Sequence, residues 1–224
     1  MHLTPPNRRV GWIGGLALLA GLALSGCATP VPYDYTAFKA SKPASMLVLP
    51  PVNETSEVKA GYGVLSQVTF PLAEAGYYVV PVTLMDETFR QNGFSNPEEI
   101  QNVSAQKLRE IFGADAAVYI TIKQYGTVYS VISSETRVTV QGRIVDLKTG
   151  ALLWQGAATA SSAEGNNSSQ GGLVGMLVTA VVKQIVGSVT DAGFQYAGNA
   201  SQRLLMPRPN GVLPGPRSPL YAAP

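Results

Sequence analysis

The first 27 residues decide what the rest of the chain has to fold with. Arg8 and Arg9 form a short positive start, residues 11–24 are an unbroken apolar run, and the run stops at Leu24-Ser25-Gly26-Cys27. A charged start, an apolar core and small residues before a cut site mark a secretory signal. The run is shorter than the roughly 20 residues a membrane-spanning helix needs. Leu-Ser-Gly-Cys fits the bacterial lipobox at all four positions. The small residues let the backbone enter a peptidase, and the Cys27 thiol takes a diacylglyceryl group. The expected product is cut before Cys27 and held on a membrane by its lipid. An ordinary signal peptide or an uncleaved anchor is the alternative. Ala28, not Asp, follows Cys27, so sorting to the outer membrane is expected, with the chain facing the periplasm.

That cleavage constrains the chemistry. Cys27 is the single cysteine and His2, in the signal, is the single histidine. The mature chain therefore folds without an internal disulfide. It has no Ser-His-Asp or Cys-His triad and no usual His/Cys zinc site. Nothing in the sequence calls for a cofactor or a metal, and the chain is expected to be no enzyme. Arg8 and Arg9 leave with the signal, so the 16 basic residues fall to 14, equal to the 14 acidic ones. No basic field remains to attract nucleic acid.

The pattern along the mature chain predicts one α/β domain in two or three layers. Its mixed sheet is expected to be parallel in the first half and an antiparallel meander in the second, with a long C-terminal helix. The predicted boundaries are signal 1–26, lipidated tether 27–45, domain 46–200 and Pro-rich flexible tail 201–224. In the tether, Tyr33, Tyr35 and Phe38 are candidates to lie on the domain surface. Residues 46–49 are an apolar run stopped by Pro50-Pro51, as in a buried strand. Residues 63–75 carry Val64, Leu65, Val68 and Leu72 at helical spacing, with Gly76 as the expected cap. A strand over 77–80, a helix over 84–91, and a helix over 97–112 restarting at Ser104 follow. Residues 116–122 read as a third strand and 126–133 as another. Val138, Val140 and Ile144 alternate with polar residues, the period of a half-solvated strand. Asp146-Leu147-Lys148-Thr149-Gly150 turns the chain into a strand over 151–160.

Residues 161–172 are polar and are expected to be flexible. Residues 173–197 predict a long helix with Leu173, Leu177, Val181 and Ile185 on one face. Met176, Val178 and Val182 lie off that face and make the helix apolar all round, so they are candidates for self-association or a partner interface. Burial under the tether is the alternative. The tail from Pro207 holds six prolines and cannot form a helix or central strand.

Other motifs read as structural. Asp86-Glu87 and Glu98-Glu99 are adjacent carboxylates, and helix neighbours do not face each other. Gly61-Tyr62-Gly63 lacks the dinucleotide fingerprint and reads as a helix-entry turn. Gly171 and Gly175 have GxxxG spacing, but Lys183 and Gln184 break the apolar run. Trp154 reads as a core or cross-strand residue. Asn53, Glu54 and Thr55 follow the first strand, where α/β sheets bind ligands, and form a candidate ligand loop.

Seven segments together resemble a family of bacterial lipoproteins, domain-of-unknown-function family 799. They are Met46-LVLPPVNET, Pro71-LAEAGYYVVPV, Asp86-ETFRQNG, Lys107-LREIFGADAAVYITI, Val145-DLKTGALLWQG, Gly171-GLVGMLV and Gly215-PRSP. The resemblance implies a fold similar to the N-terminal half of TolB and to periplasmic CsgG-like domains. It also implies a shared envelope assembly with a CsgG-like lipoprotein. It carries over no catalytic residue. A ligand- or peptidoglycan-binding module that regulates cell-wall synthesis is the alternative function.

Overall fold

The apolar run at Met46 becomes the strand around which the sheet is built. In the computed structural model, which describes residues 32–129, 134–165 and 192–221, β1 (Ser45–Val48) lies between two parallel neighbours. These are β3 (Tyr78–Val79) and β4 (Ala116–Tyr129). A two-residue β2 (Val52–Asn53) also runs parallel to β4. β4, β5 (Ser134–Asp146) and β6 (Leu152–Ser161) then form the antiparallel meander. The order is β3-β1-β4-β5-β6, with β2 beside β4. From Asp34 onward the chain clusters as one unit.

Burial divides this sheet into two regimes. Met46, Leu47, Val48 and Ala116 to Ile120 are buried without a break, so both faces are covered there. Such continuous apolar runs are what a helix-covered parallel strand requires. Beyond Thr121 burial alternates: Ile122, Val138, Val140, Ile144, Ala158 and Ala160 point inward and their neighbours are more exposed, until Val145 to Leu147 are buried in succession at the end of β5. The domain is thus three layers deep at β1 and two layers deep over β5 and β6. The inner face of the meander is packed by α6 (Ala192–Leu205), which also lies along α2 (Ala60–Glu74). Small residues allow the close approach. The Tyr125 ring presses on Gly193 and Gly63, and Gln67 meets Gly198.

Three further helices connect β3 to β4: α3 (Val82–Gln91), α4 (Pro97–Gln101) and α5 (Ala105–Phe112). The expected restart near Ser104 is present. Asn96 caps α4 by accepting from Glu98 N, and Ser104 caps α5 by accepting from Lys107 N. Each satisfies a backbone donor that a helix start leaves free. Gly113 closes α5 at φ +66°, a left-handed position that suits glycine.

Four expectations change. The strands predicted over 116–122 and 126–133 are one strand, β4, as far as Tyr129. A bulge places Lys123 as an extra residue between Ile122 and Gln124, so the polar break does not end the pairing. Of the helix predicted over 173–197, residues 173–191 lie outside the described residues, as do Met176, Val178, Val182 and Cys27. The described part starts at Ala192 and runs past the expected boundary at 200 to Leu205, because Ala197, Ala200, Ser201, Leu204 and Leu205 continue one buried face. The tether is shorter than expected: α1 (Thr36–Ser41) is already helical and buries Phe38.

The tail is the fourth correction. Its prolines do exclude helix and strand, but its remaining backbone groups pair with the domain. Gly215 N donates to Ala75 O at 2.7 Å, and Arg217 N donates to Gly76 O at 3.0 Å. Buried side chains close over it as well: Tyr77 Oη donates to Leu213 O at 2.6 Å and Trp154 Nε1 to Asn210 O at 3.2 Å. Val212 is buried. Tyr35 Oη donates to Gly211 O, so the start and end of the domain meet. Gly76 has φ +94°, and a Cβ there would sit 2.3 Å from Ser218 N.

Candidate functional site

β1 cannot continue past Leu49, because Pro50 and Pro51 have no amide to donate. After the short β2 the chain crosses to β3 on one side of β1 and returns later to β4 on the other. Such a reversal opens a crevice outside the carboxyl ends of the strands. A cavity of about 150 Å³ lies there. The first turns of α2 contribute Gly61, Tyr62 and Leu65 to its lining, and α3 contributes Asp86 and Arg90. The Pro50-Pro51 loop, Phe94-Ser95, Pro97 and Ile100 complete it.

The scaffold of the crevice is fixed from below. Gln101 Nε2 donates to Pro50 O at 2.9 Å and to Ile120 O at 3.1 Å, tying α4 to the sheet. Phe89 is buried and packs edge-on against Phe94 at 6.2 Å. The mouth is different. Tyr62 is 70% exposed and Phe94 is 38% exposed, although both are aromatic. Arg90 is occupied: its Nη2 lies 2.8 and 2.7 Å from the two Glu87 carboxylate oxygens. That pair and the Gln91 amide hold the Glu87 carboxyl below its ordinary pKa. Asp86 receives only a 3.5 Å contact from Tyr62 Oη, too long for a firm hydrogen bond.

A second surface is the outer face of the meander. Tyr119, Thr121, Gln141, Arg143 and Gln155 line a shallow depression of about 510 Å³. The Arg143 guanidinium lies 3.9 Å from the centre of the Tyr119 ring. Burial raises the Tyr119 hydroxyl pKa, partly opposed by that guanidinium. Thr139 Oγ1 is 3.0 Å from both Gln124 Oε1 and Thr159 Oγ1, a polar ladder across three strands.

The candidate ligand loop sits beside the crevice but does not line it. Asn53 Oδ1 accepts from Thr55 N and Thr55 Oγ1 at 3.1 and 2.8 Å, and Asn53 Nδ2 donates to Glu57 O at 2.8 Å. Glu54 pairs with Lys123 at 2.6 Å. These three residues hold the loop's own shape. The paired carboxylates separate as helix geometry requires: Glu87 turns to Arg90 and Asp86 to the crevice. Gly61-Tyr62-Gly63 does start a helix, at Ala60. The exposure of Tyr62 was not read from the sequence. Its place off the stripe of Val64, Leu65, Val68 and Leu72 was the available signal. Among the described residues no helix is long and apolar enough to cross a membrane, and no group of His, Cys, Asp and Glu could hold a metal ion.

Comparison with known proteins bears out the lipoprotein resemblance. Residues 33–217 match the family described as "Putative lipoprotein GNA1162-like", a span that includes most of the packed tail. "Putative lipoprotein NMB1124/NMB1162" of Neisseria meningitidis serogroup B is 49% identical over 205 residues, covering 90% of this chain and 94% of that protein. The crystal structure of lipoprotein GNA1162 from Neisseria meningitidis is 48% identical, with a TM-score of 0.51 over 65% of this chain and 99% of that one. The C-terminal domain of LpoB from Salmonella enterica is 17% identical at a TM-score of 0.39, covering 64% of this chain and 93% of that one. The chain, with its lipobox at Cys27 and its α/β domain from Asp34 onward, belongs to the GNA1162-like lipoprotein family.

Proposed function

We propose that this lipoprotein is a non-enzymatic component of the outer membrane. It is held by lipid on Cys27 and presents its α/β domain to the periplasm, where it docks other envelope proteins. The observation that carries this reading is the crevice at the strand ends, whose mouth leaves the aromatic rings of Tyr62 and Phe94 in solvent. Open concave apolar surface of this kind favours a partner that removes it from water. The CsgG-like resemblance in the sequence makes a CsgG-like lipoprotein the first partner to test. Self-association through Met176, Val178 and Val182 is a separate possibility for the same assembly.

A second reading has one observation in its favour. The outer face of the meander offers Gln141, Gln155 and an Arg143 stacked over the Tyr119 ring, groups that suit a polar cell-wall fragment. Affinity isolation from detergent-solubilised envelopes and retention on purified cell wall separate the two readings. A stoichiometric protein partner supports the docking role. Retention on cell wall with no protein partner overturns it in favour of the second reading.

A further inference from the structure

The crevice has a chemistry that narrows what it takes, and the narrowing rests on the docking role proposed above. Its volume of about 150 Å³ is about that of a cavity that accepts one benzene ring, well below the roughly 300–1,000 Å³ of small-molecule sites. It therefore suits one aromatic or branched apolar side chain at a time. Pro51, Leu65 and Ile100 are buried, whereas Tyr62 and Phe94 at its mouth are open to solvent.

The charge at the mouth leans negative: Asp86 and Arg90 line it, and Glu87 binds Arg90 from outside the lining, which leaves one carboxylate in excess. Asp86 lines the crevice and, among the described residues, has no Lys or Arg within ion-pair distance. The nearby cation, Arg90, is held by Glu87. Glu98 and Glu99 follow Pro97 and are exposed, while Glu57 and Lys59 before α2 offset each other in charge. A cation arriving beside the apolar anchor meets the excess carboxylate charge, since Arg90 is shared between Glu87 and Asp86, and the face of the exposed Tyr62 ring, which attracts cations. We propose that the crevice captures an exposed segment of another envelope protein that carries one aromatic or branched apolar anchor with a lysine or arginine next to it.

Two substitutions test this without disturbing the fold. Gly61 lines the crevice in a helical conformation, and an added Cβ there meets nothing within 4 Å. Gly61→Leu fills the space with a better helix former, so its melting temperature should equal or exceed that of the parent. Asp86→Asn removes the charge alone. The lipidated full-length protein in detergent micelles is panned with a random dodecapeptide phage library, and a synthetic peptide of the enriched consensus is titrated by fluorescence anisotropy. The expected consensus pairs an apolar anchor with an adjacent basic residue. Gly61→Leu should weaken its binding roughly tenfold or more, as loss of an interface anchor does. Asp86→Asn should weaken it several-fold, and only for peptides that keep the basic residue.

No enrichment, a consensus without the basic residue, or unchanged affinity in Gly61→Leu overturns the proposal. So does displacement of the peptide by the unlabelled protein itself, which would assign the crevice to a second copy. Envelope crosslinks that persist in Gly61→Leu remove the crevice from the account but leave partner docking on another surface. Absence of any protein crosslink from the unsubstituted protein is the result that removes docking itself.

Discussion

Two carboxylates, Asp115 and Asp146, hold the start of this domain to its sheet. Asp115 accepts from Ala44 N, Ser45 N and Ser45 Oγ at 3.0, 3.0 and 2.8 Å, which fixes where β1 begins. Asp146 shapes the turn after β5 by accepting from Lys148 N, Thr149 N and Thr149 Oγ1 at 2.8, 2.7 and 3.0 Å. Its other oxygen accepts from Ser41 Oγ, at the end of α1. Burial acts to raise the Asp146 pKa, but the hydrogen bonds from Ser41, Thr149 and Lys148 outweigh it and leave the pKa below its ordinary 3.8. A depressed folded pKa stabilises the native state at pH values above the unfolded pKa. That contribution is lost as pH falls through the folded value. Asp146→Ala should cost about 1–3 kcal/mol at neutral pH, the penalty of leaving part-buried donors unpaired. It should also flatten the acid limb of the stability profile, as urea titrations below and above pH 4 can show. Equal stability at neutral pH would mean that Ser41 and the turn hold without the carboxylate.

At the scale of elements, local chemistry was legible and long-range closure was not. The stop at Pro50-Pro51, the restart at Ser104, and the alternation of Val138, Val140 and Ile144 are written in adjacent residues. Each appears in the structure where the pattern placed it. The Lys123 bulge was hidden because a polar residue in mid-strand looks like a strand end. The tail was misread for a related reason. Six prolines show which regular structures a segment cannot form, but they do not show whether its carbonyls and remaining amides find partners 56 or more residues away. Tyr77 illustrates this: burial, with Tyr221 nearby, raises its pKa, and its protonated hydroxyl is free to donate to Leu213 O. Among candidate site residues, Asn53, Glu54 and Thr55 were chosen by topology. Topology pointed to the strand ends, where the crevice lies, but the side chains that open into the crevice come from α2, α3 and the Phe94 loop. Ending the chain after Met206 removes the burial of Val212 and the hydrogen bonds to Asn210, Leu213, Ala75 and Gly76. The expected loss is at least about 3 kcal/mol, from apolar burial and roughly 1 kcal/mol per hydrogen bond. In a domain of this size that lowers the melting temperature by about 6–12 °C, measurable by circular dichroism. An unchanged melting temperature would show that the tail is a passenger.

For the whole molecule, the proposed function gives the leader and the domain separate tasks: one sets the address, the other the contacts. Cys27→Ala should abolish acyl labelling and leave the precursor uncut by the lipoprotein peptidase, while the domain keeps its melting temperature. In a density gradient the unsubstituted protein should travel with outer-membrane markers, because Ala28 gives no retention signal. Recovery mostly with inner-membrane markers would contradict the outward sorting. The central claim, that this anchored domain meets envelope proteins through the crevice at its strand ends, is open to one direct measurement. A photo-crosslinking phenylalanine analogue is placed at Tyr62 in one strain and at Gln141, on the outer face of the meander, in another. Both proteins keep Cys27 and its lipid, and living cells are irradiated before the adducts are identified by mass spectrometry. A discrete adduct to an envelope protein from position 62, absent from position 141, is the predicted result. Adducts from position 141 with none from position 62 would contradict it and would move the working surface to the open face of the sheet.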